Sequence, residues 1–208
     1  MLKATTLTLA QSWWPRVDLQ SNAVRLVLGS VLVAVCAQIN IPLQPVPITG
    51  QTLGVLLAGA VLGSRLGALS LAAYLAEGLA GLPVFAGGTN AWTPTRTPGV
   101  PVILGPTAGY LVGFVAAAYV VGWLAERGWD RRVLTAALAM VVGNLVIYAL
   151  GLAGLARFVP AGSLLPFGLL PFLPGDALKI ALAAAVLPGA WALTRSKSRA
   201  PGSETGPE

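Results

Sequence analysis

Histidine is missing from the 208-residue sequence, cysteine occurs once, and charged side chains make up only 10% of it. Without histidine the chain lacks the usual proton shuttle and the commonest metal ligand. That argues against a hydrolase or a metalloenzyme. A lone Cys36 within an apolar run leaves no internal disulfide and no zinc-ligand spacing. No G-x-x-x-x-G-K-[ST] segment is present either, so the chain has no P-loop with which to hydrolyse ATP. Soluble domains carry about a quarter charged residues. A chain that is 56% hydrophobic with so few charges is an integral membrane protein. Its net charge of +6 sits in short flanks between apolar runs, which is membrane topology rather than nucleic-acid binding. The first twenty residues lack a charged start, apolar core and small-residue cleavage site in that order, so no cleaved signal is expected. Trp13 and Trp14, near Arg16 and Arg25, read instead as an interfacial anchor.

What is present is a series of apolar runs. The expected architecture is all-α: one bundle of six membrane-spanning helices over residues 22–194. An interfacial segment, 1–21, precedes it, and a disordered polar tail, 195–208, follows. The first span is 24–39. Prolines 42, 45 and 47 then bias the chain toward extended conformations, so 41–50 is expected to be an extended loop or lid. Residues 51–81 are read as two short spans joined at Gly63-Ser64-Arg65. The stretch 81–101, crowded with Gly, Pro and Thr, is a loop. Pro106 opens the fourth span, 133–155 is the fifth, and 157–171 is an apolar loop with three prolines. The sixth span is 175–193.

Six spans put both ends on one side. The flanks of that side hold Lys3, Arg16, Arg25, Arg65, Arg127, Arg131, Arg132, Arg195, Lys197 and Arg199; the other side holds Arg96 and Arg157. This asymmetry predicts an N-in, C-in orientation. Gln51, Tyr110, Glu77, Asp176 and Lys179 then gather in the outer half, above an almost purely apolar inner half. Such a site captures a small polar molecule from outside; a continuous pore needs polar lining throughout.

The stretch Pro171–Lys179, PFLPGDALK, organises the rest. Pro174 suits a first helical turn, and Asp176 gains there from the positive end of the helix dipole. Asp176 and Lys179, three apart, share a helix face. From Gly175 to Leu193 the helix is roughly 28 Å long at 1.5 Å per residue, enough for a bilayer core of about 30 Å.

The ordered set IPLQPVPITGQTL (41–53), GLPVFAGG (81–88), GPTAGYLVGF (105–114) and PFLPGDALK (171–179) resembles the BioY family, the biotin-specific substrate-binding subunits of energy-coupling factor (ECF) transporters. The resemblance covers about 22–194. It implies a six-helix S component that binds biotin near the outer membrane surface and needs no cofactor. Uptake in that family is powered by a separate transmembrane coupling protein and two cytoplasmic ATPases, within the membrane lipid. Ala108 replaces the first glycine of the family's usual GPTGGY, and Thr89–Pro101 departs from its usual Gly-rich loop.

Biotin presents a ureido ring, an apolar thiophane and a carboxylate. Asp176 can accept from the ureido N–H groups. Lys179 can donate to the ureido carbonyl or neutralise the carboxylate, and the two can equally pair with each other. Tyr110 is read as a pocket wall or an interfacial aromatic, and Gln51 as a ligand contact or a loop tie. Asn144 bonds either ligand or a neighbouring helix, with Tyr148 ranked below it. Arg96 reaches the carboxylate or is solvated. Pro42, Pro45 and Pro47 form the lid. Ser30, Ala34 and Ala37 make a small-residue face, suited either to docking the coupling protein or to packing within the chain. Two other readings stand beside this one: an S component for another vitamin, and a small membrane enzyme acting on lipid substrates. The latter wants a histidine or an acid cluster, which the sequence lacks.

Overall fold

The computed structural model describes residues 7–15, 18–95 and 99–197, with side chains described as far as Thr194. Eight α-helices lie among these residues. The first two open on side-chain caps. Helix α1 (Leu9–Trp13) opens on Thr8, which forms a reciprocal capping box with Gln11. Helix α2 (Leu19–Gln38) opens on Asp18, whose Oδ1 accepts from the Ser21 N–H at 2.7 Å while Ser21 Oγ accepts from the Asp18 N–H. Arg25, one turn on, is buried, and its guanidinium donates to the Trp14 carbonyl.

The chain leaves α2 into a short antiparallel hairpin, β1 (Asn40–Ile41) and β2 (Ile48–Thr49), in which Asn40 faces Thr49 and Ile41 faces Ile48. Its tip, 42–47, contains a cis Gln44–Pro45 bond. Helices α3 (Gln51–Leu62) and α4 (Ser64–Leu79) follow, joined only by Gly63. Gly63 has φ +86°, a conformation that a side chain would strain. The two short apolar runs are therefore two helices, as the sequence predicts. The 81–105 region is irregular, with 3₁₀ turns at Ala86–Gly88 and Val102–Leu104.

Helices α5 (Ala108–Ala125) and α6 (Val133–Leu155) are the central antiparallel pair; α5 also packs on α3 and α4. In lipid no hydrophobic force drives helices together, so close packing of small residues must do so. A Cβ added at Gly59 would come within 2.6 Å of the Ala118 carbonyl oxygen, and one at Gly109 within 2.3 Å of that of Leu150.

Two expectations change in the C-terminal third. Residues 157–171 are not simply loop: α7 spans Ala161–Gly168 and contains Pro166. As the sixth residue of this short helix, Pro166 forgoes one intrahelical bond, the one its N–H would make to the Gly162 carbonyl. Helix α8 runs from Leu173 to Lys197, longer at both ends than 175–193 and continuous through Pro188. The expected tail thus overlaps α8 as far as 197; residues 198–208 lie outside the described set. Among the described residues four helices, α2, α5, α6 and α8, are long and apolar enough to cross a membrane.

Candidate functional site

A cavity of about 460 Å³ opens at one end of the bundle, within the usual size range of small-molecule sites. Its floor is apolar: Leu111 and Phe114 of α5 with Ile147 of α6. The hairpin tip lies across it, with Pro42, Pro45 and Pro47 among the lining residues, and Phe85 and Val102 contribute from the 81–105 region. Polar groups gather on one wall, where α3, α6 and α8 meet.

Asp176 lies in the first turns of α8 and is 3% exposed. Its Oδ1 accepts from Lys179 Nζ at 2.9 Å and from the Thr52 hydroxyl at 3.0 Å; its Oδ2 accepts from the Tyr148 hydroxyl. Lys179 Nζ also donates to the Thr49 carbonyl at 2.6 Å and to Thr52 Oγ1 at 2.8 Å. All three ammonium protons thus have acceptors, while the carboxylate keeps lone-pair capacity to spare. Local sequence explains the convergence. Thr49 ends the hairpin and Thr52 sits in the first turn of α3, while Asp176 and Lys179 share one face of α8. The two charges do pair with each other, and both also line the cavity.

Tyr110 forms part of the same enclosure. Its hydroxyl donates to the Gly168 carbonyl at the end of α7, at 2.7 Å, and its ring lies against Gly151. Phe172 stands between the tyrosines, its ring centroid 6.2 Å from Tyr110 and 6.5 Å from Tyr148. Gln51 lines the cavity with both ends of its amide engaged. Nε2 donates to the Tyr74 hydroxyl at 2.7 Å, and Oε1 accepts from Thr49 Oγ1 at 2.9 Å.

Other expected residues are placed differently. Asn144 is buried in α6 one turn from Tyr148 but does not line the cavity; its Oδ1 has no hydrogen-bond partner. Arg96 lies outside the described residues. Ser30 and Ala37 are fully buried, and Ser30 Oγ donates to Glu77 Oε1 at 2.8 Å. Ala34 is half-buried. Ser30 thus packs toward α4 within the chain, through Glu77.

A comparison of the sequence with family models matches the BioY family over residues 8–196. The chain belongs to the BioY family. A biotin transporter BioY of Rhizobium etli is 40% identical over 154 residues, covering 70% of this chain and 78% of that protein. A probable biotin transporter BioY of Pyrococcus horikoshii is 41% identical over 152 residues, covering 73% and 85%. Among solved structures, the S-component for biotin from an ECF-type ABC transporter superposes with a TM-score of 0.71 at 23% identity, covering 88% of this chain and 96% of that one. At that identity the likeness speaks to the fold. With its four long apolar helices, this BioY-family chain is a multi-pass protein of the cell membrane.

Several residues of the polar wall escape a reading of the sequence. Thr49, Thr52 and Phe172 all fall within the quoted motifs, but a threonine beside an apolar run announces nothing by type or spacing. Tyr148, ranked low by its depth in the fifth span, is a direct partner of Asp176. Only the fold brings α6 to that carboxylate.

Proposed function

We propose that the chain is a biotin-binding S component: it captures biotin in the cavity and works with an energising module of the ECF type. The observation that carries this reading is the pairing of buried Asp176 with half-buried Lys179, an acceptor and a donor 2.9 Å apart on one wall of a mainly apolar cavity. Atoms so close meet the same end of a ligand. A cyclic urea offers N–H donors and a carbonyl acceptor side by side, so its N–H faces Asp176, and its carbonyl takes over one Lys179 proton now bonded to the Thr49 carbonyl or the Thr52 hydroxyl. The valerate carboxylate is disfavoured at this spot, because Asp176 would repel it. The thiophane ring packs among Phe172, Tyr110 and Tyr148, and the valerate extends toward the mouth.

Six spans, α2 to α6 with α8, make an N-in, C-in membrane domain with the cavity outside. The distribution of Lys and Arg favours that orientation. The hairpin tip with Pro42, Pro45 and Pro47 acts as the lid. The absence of a P-loop leaves ATP hydrolysis to two cytoplasmic partner subunits, coupled through a transmembrane protein. The chain binds and reorients its ligand and performs no covalent chemistry, as befits relatives named as transporters.

Equilibrium binding to the purified protein tests this. The reading expects tight binding of biotin and none of thiamin or riboflavin at the same concentrations. Preferential binding of either of those vitamins would replace it with an S component of another specificity.

A further inference from the structure

The first turn of α5 is a wall with two faces. Tyr110 and Leu111 look into the cavity, while Ala108, Gly109 and Val112 line a second concavity of about 350 Å³ between α5 and α6. The facing wall is Leu150, Ala153 and Gly154, and Leu104 and Phe158 close the loop end. This groove opens outward from the bundle: Val112 is 57% and Leu104 67% exposed, and among the described residues nothing covers them. Its floor is bare backbone. A Cβ at Gly154 would lie 2.9 Å from the Gly109 Cα, so the helices touch there and leave a furrow at their flank.

In a membrane protein an outward apolar furrow meets acyl chains. One charged group marks its end. Arg157, two residues beyond α6, lines the groove and is exposed, and its guanidinium makes no hydrogen bond or ion pair among the described residues. It stands where α6 ends, at the same end of the bundle as the cavity mouth. A guanidinium fork suits the oxygens of a phosphodiester, and the furrow beside it suits the chain that the phosphodiester carries.

We propose that this groove is a binding site for one anionic phospholipid, with its phosphate on Arg157 and an acyl chain along Val112 and Leu150. A lipid with a neutral glycerol headgroup leaves its phosphate charge uncompensated, whereas a zwitterionic lipid carries its own cation, which competes with the arginine. The site is separate from the cavity and does not depend on what the cavity binds.

Native mass spectrometry of the full chain in detergent, exposed to equimolar phosphatidylglycerol and phosphatidylcholine, tests the assignment. The wild type should retain phosphatidylglycerol about fivefold more than phosphatidylcholine, the effect of one basic side chain near a membrane surface. Arg157→Gln should bring the two to parity. Ala153→Phe, which fills the groove from an exposed position, should lower retention of both lipids. Helical circular dichroism checks that each variant is folded. Equal retention of both lipids by the wild type would overturn the proposal. So would an unchanged preference in Arg157→Gln, which would move the lipid to the basic turn at Arg127–Arg132.

Discussion

Tyr148 on α6 donates its hydroxyl to Asp176 on α8, joining two helices at the wall of the cavity. The phenol fixes Oδ2, so that Oδ1 is the oxygen presented beside Lys179. A carboxylate held in this way is oriented before any ligand arrives, which lowers the cost of ordering on binding.

Tyr148→Phe removes that donor and keeps the ring. Hydrogen bonds to charged groups contribute about 1.5–3 kcal/mol. Biotin affinity is expected to fall at least about tenfold, with the helical content unchanged. Titration of the purified variant by calorimetry checks this.

Gly151 is the surface on which the Tyr110 ring rests. A Cβ there would lie 2.4 Å from ring carbons, too close for the ring to remain in place. Over-packing of this kind costs about 1–3 kcal/mol. Gly151→Ala is expected to displace the ring, break its bond to the Gly168 carbonyl and weaken biotin binding. Tyr110→Ala in the same background should restore part of the stability but not the affinity. Thermal melts read beside binding titrations separate the two effects.

Asp130, in the 3₁₀ turn Trp129–Arg131 between α5 and α6, is 2% exposed. The Trp191 indole donates to its Oδ2 at 2.6 Å, and Oδ1 has no hydrogen-bond partner. Burial pushes its pKa above the usual carboxylate range, opposed by the Trp191 bond and the Arg131 guanidinium. A raised folded pKa means that the folded chain holds the proton where the unfolded chain has released it. The buried charge therefore lowers stability above that window and not below it. Asp130→Asn keeps an acceptor for Trp191. It should melt about 2–4 °C above wild type near neutral pH, and the gap should close as pH falls through the raised pKa of Asp130. Paired melts across pH check the direction.

The two short helices after the hairpin, the Asp176–Lys179 face and the proline-rich tip were all legible, because each rests on local pattern: apolar run length, helical spacing, proline geometry. Helix α7 was not, since Pro160, Pro166 and Pro171 argue locally against any helix. Asn144 and Tyr148 have one explanation between them. Both lie on α6 one turn apart, and depth in a span does not reveal that only Tyr148 reaches the cavity. Ser30 illustrates the same gap: a small residue suits any close helix contact, and its bond to Glu77 of α4 belongs to the fold.

The central claim is that Asp176 and Lys179 together hold the ureido ring, and biotin binding to the double variant Asp176→Asn, Lys179→Gln tests it most directly. Either single change leaves a buried charge unpaired and risks the fold; the double change is neutral and nearly isosteric. A folded double variant whose biotin affinity has dropped at least about a hundredfold, two such hydrogen bonds at 1.5–3 kcal/mol each, is the predicted result. Wild-type affinity in that same folded variant would contradict the account.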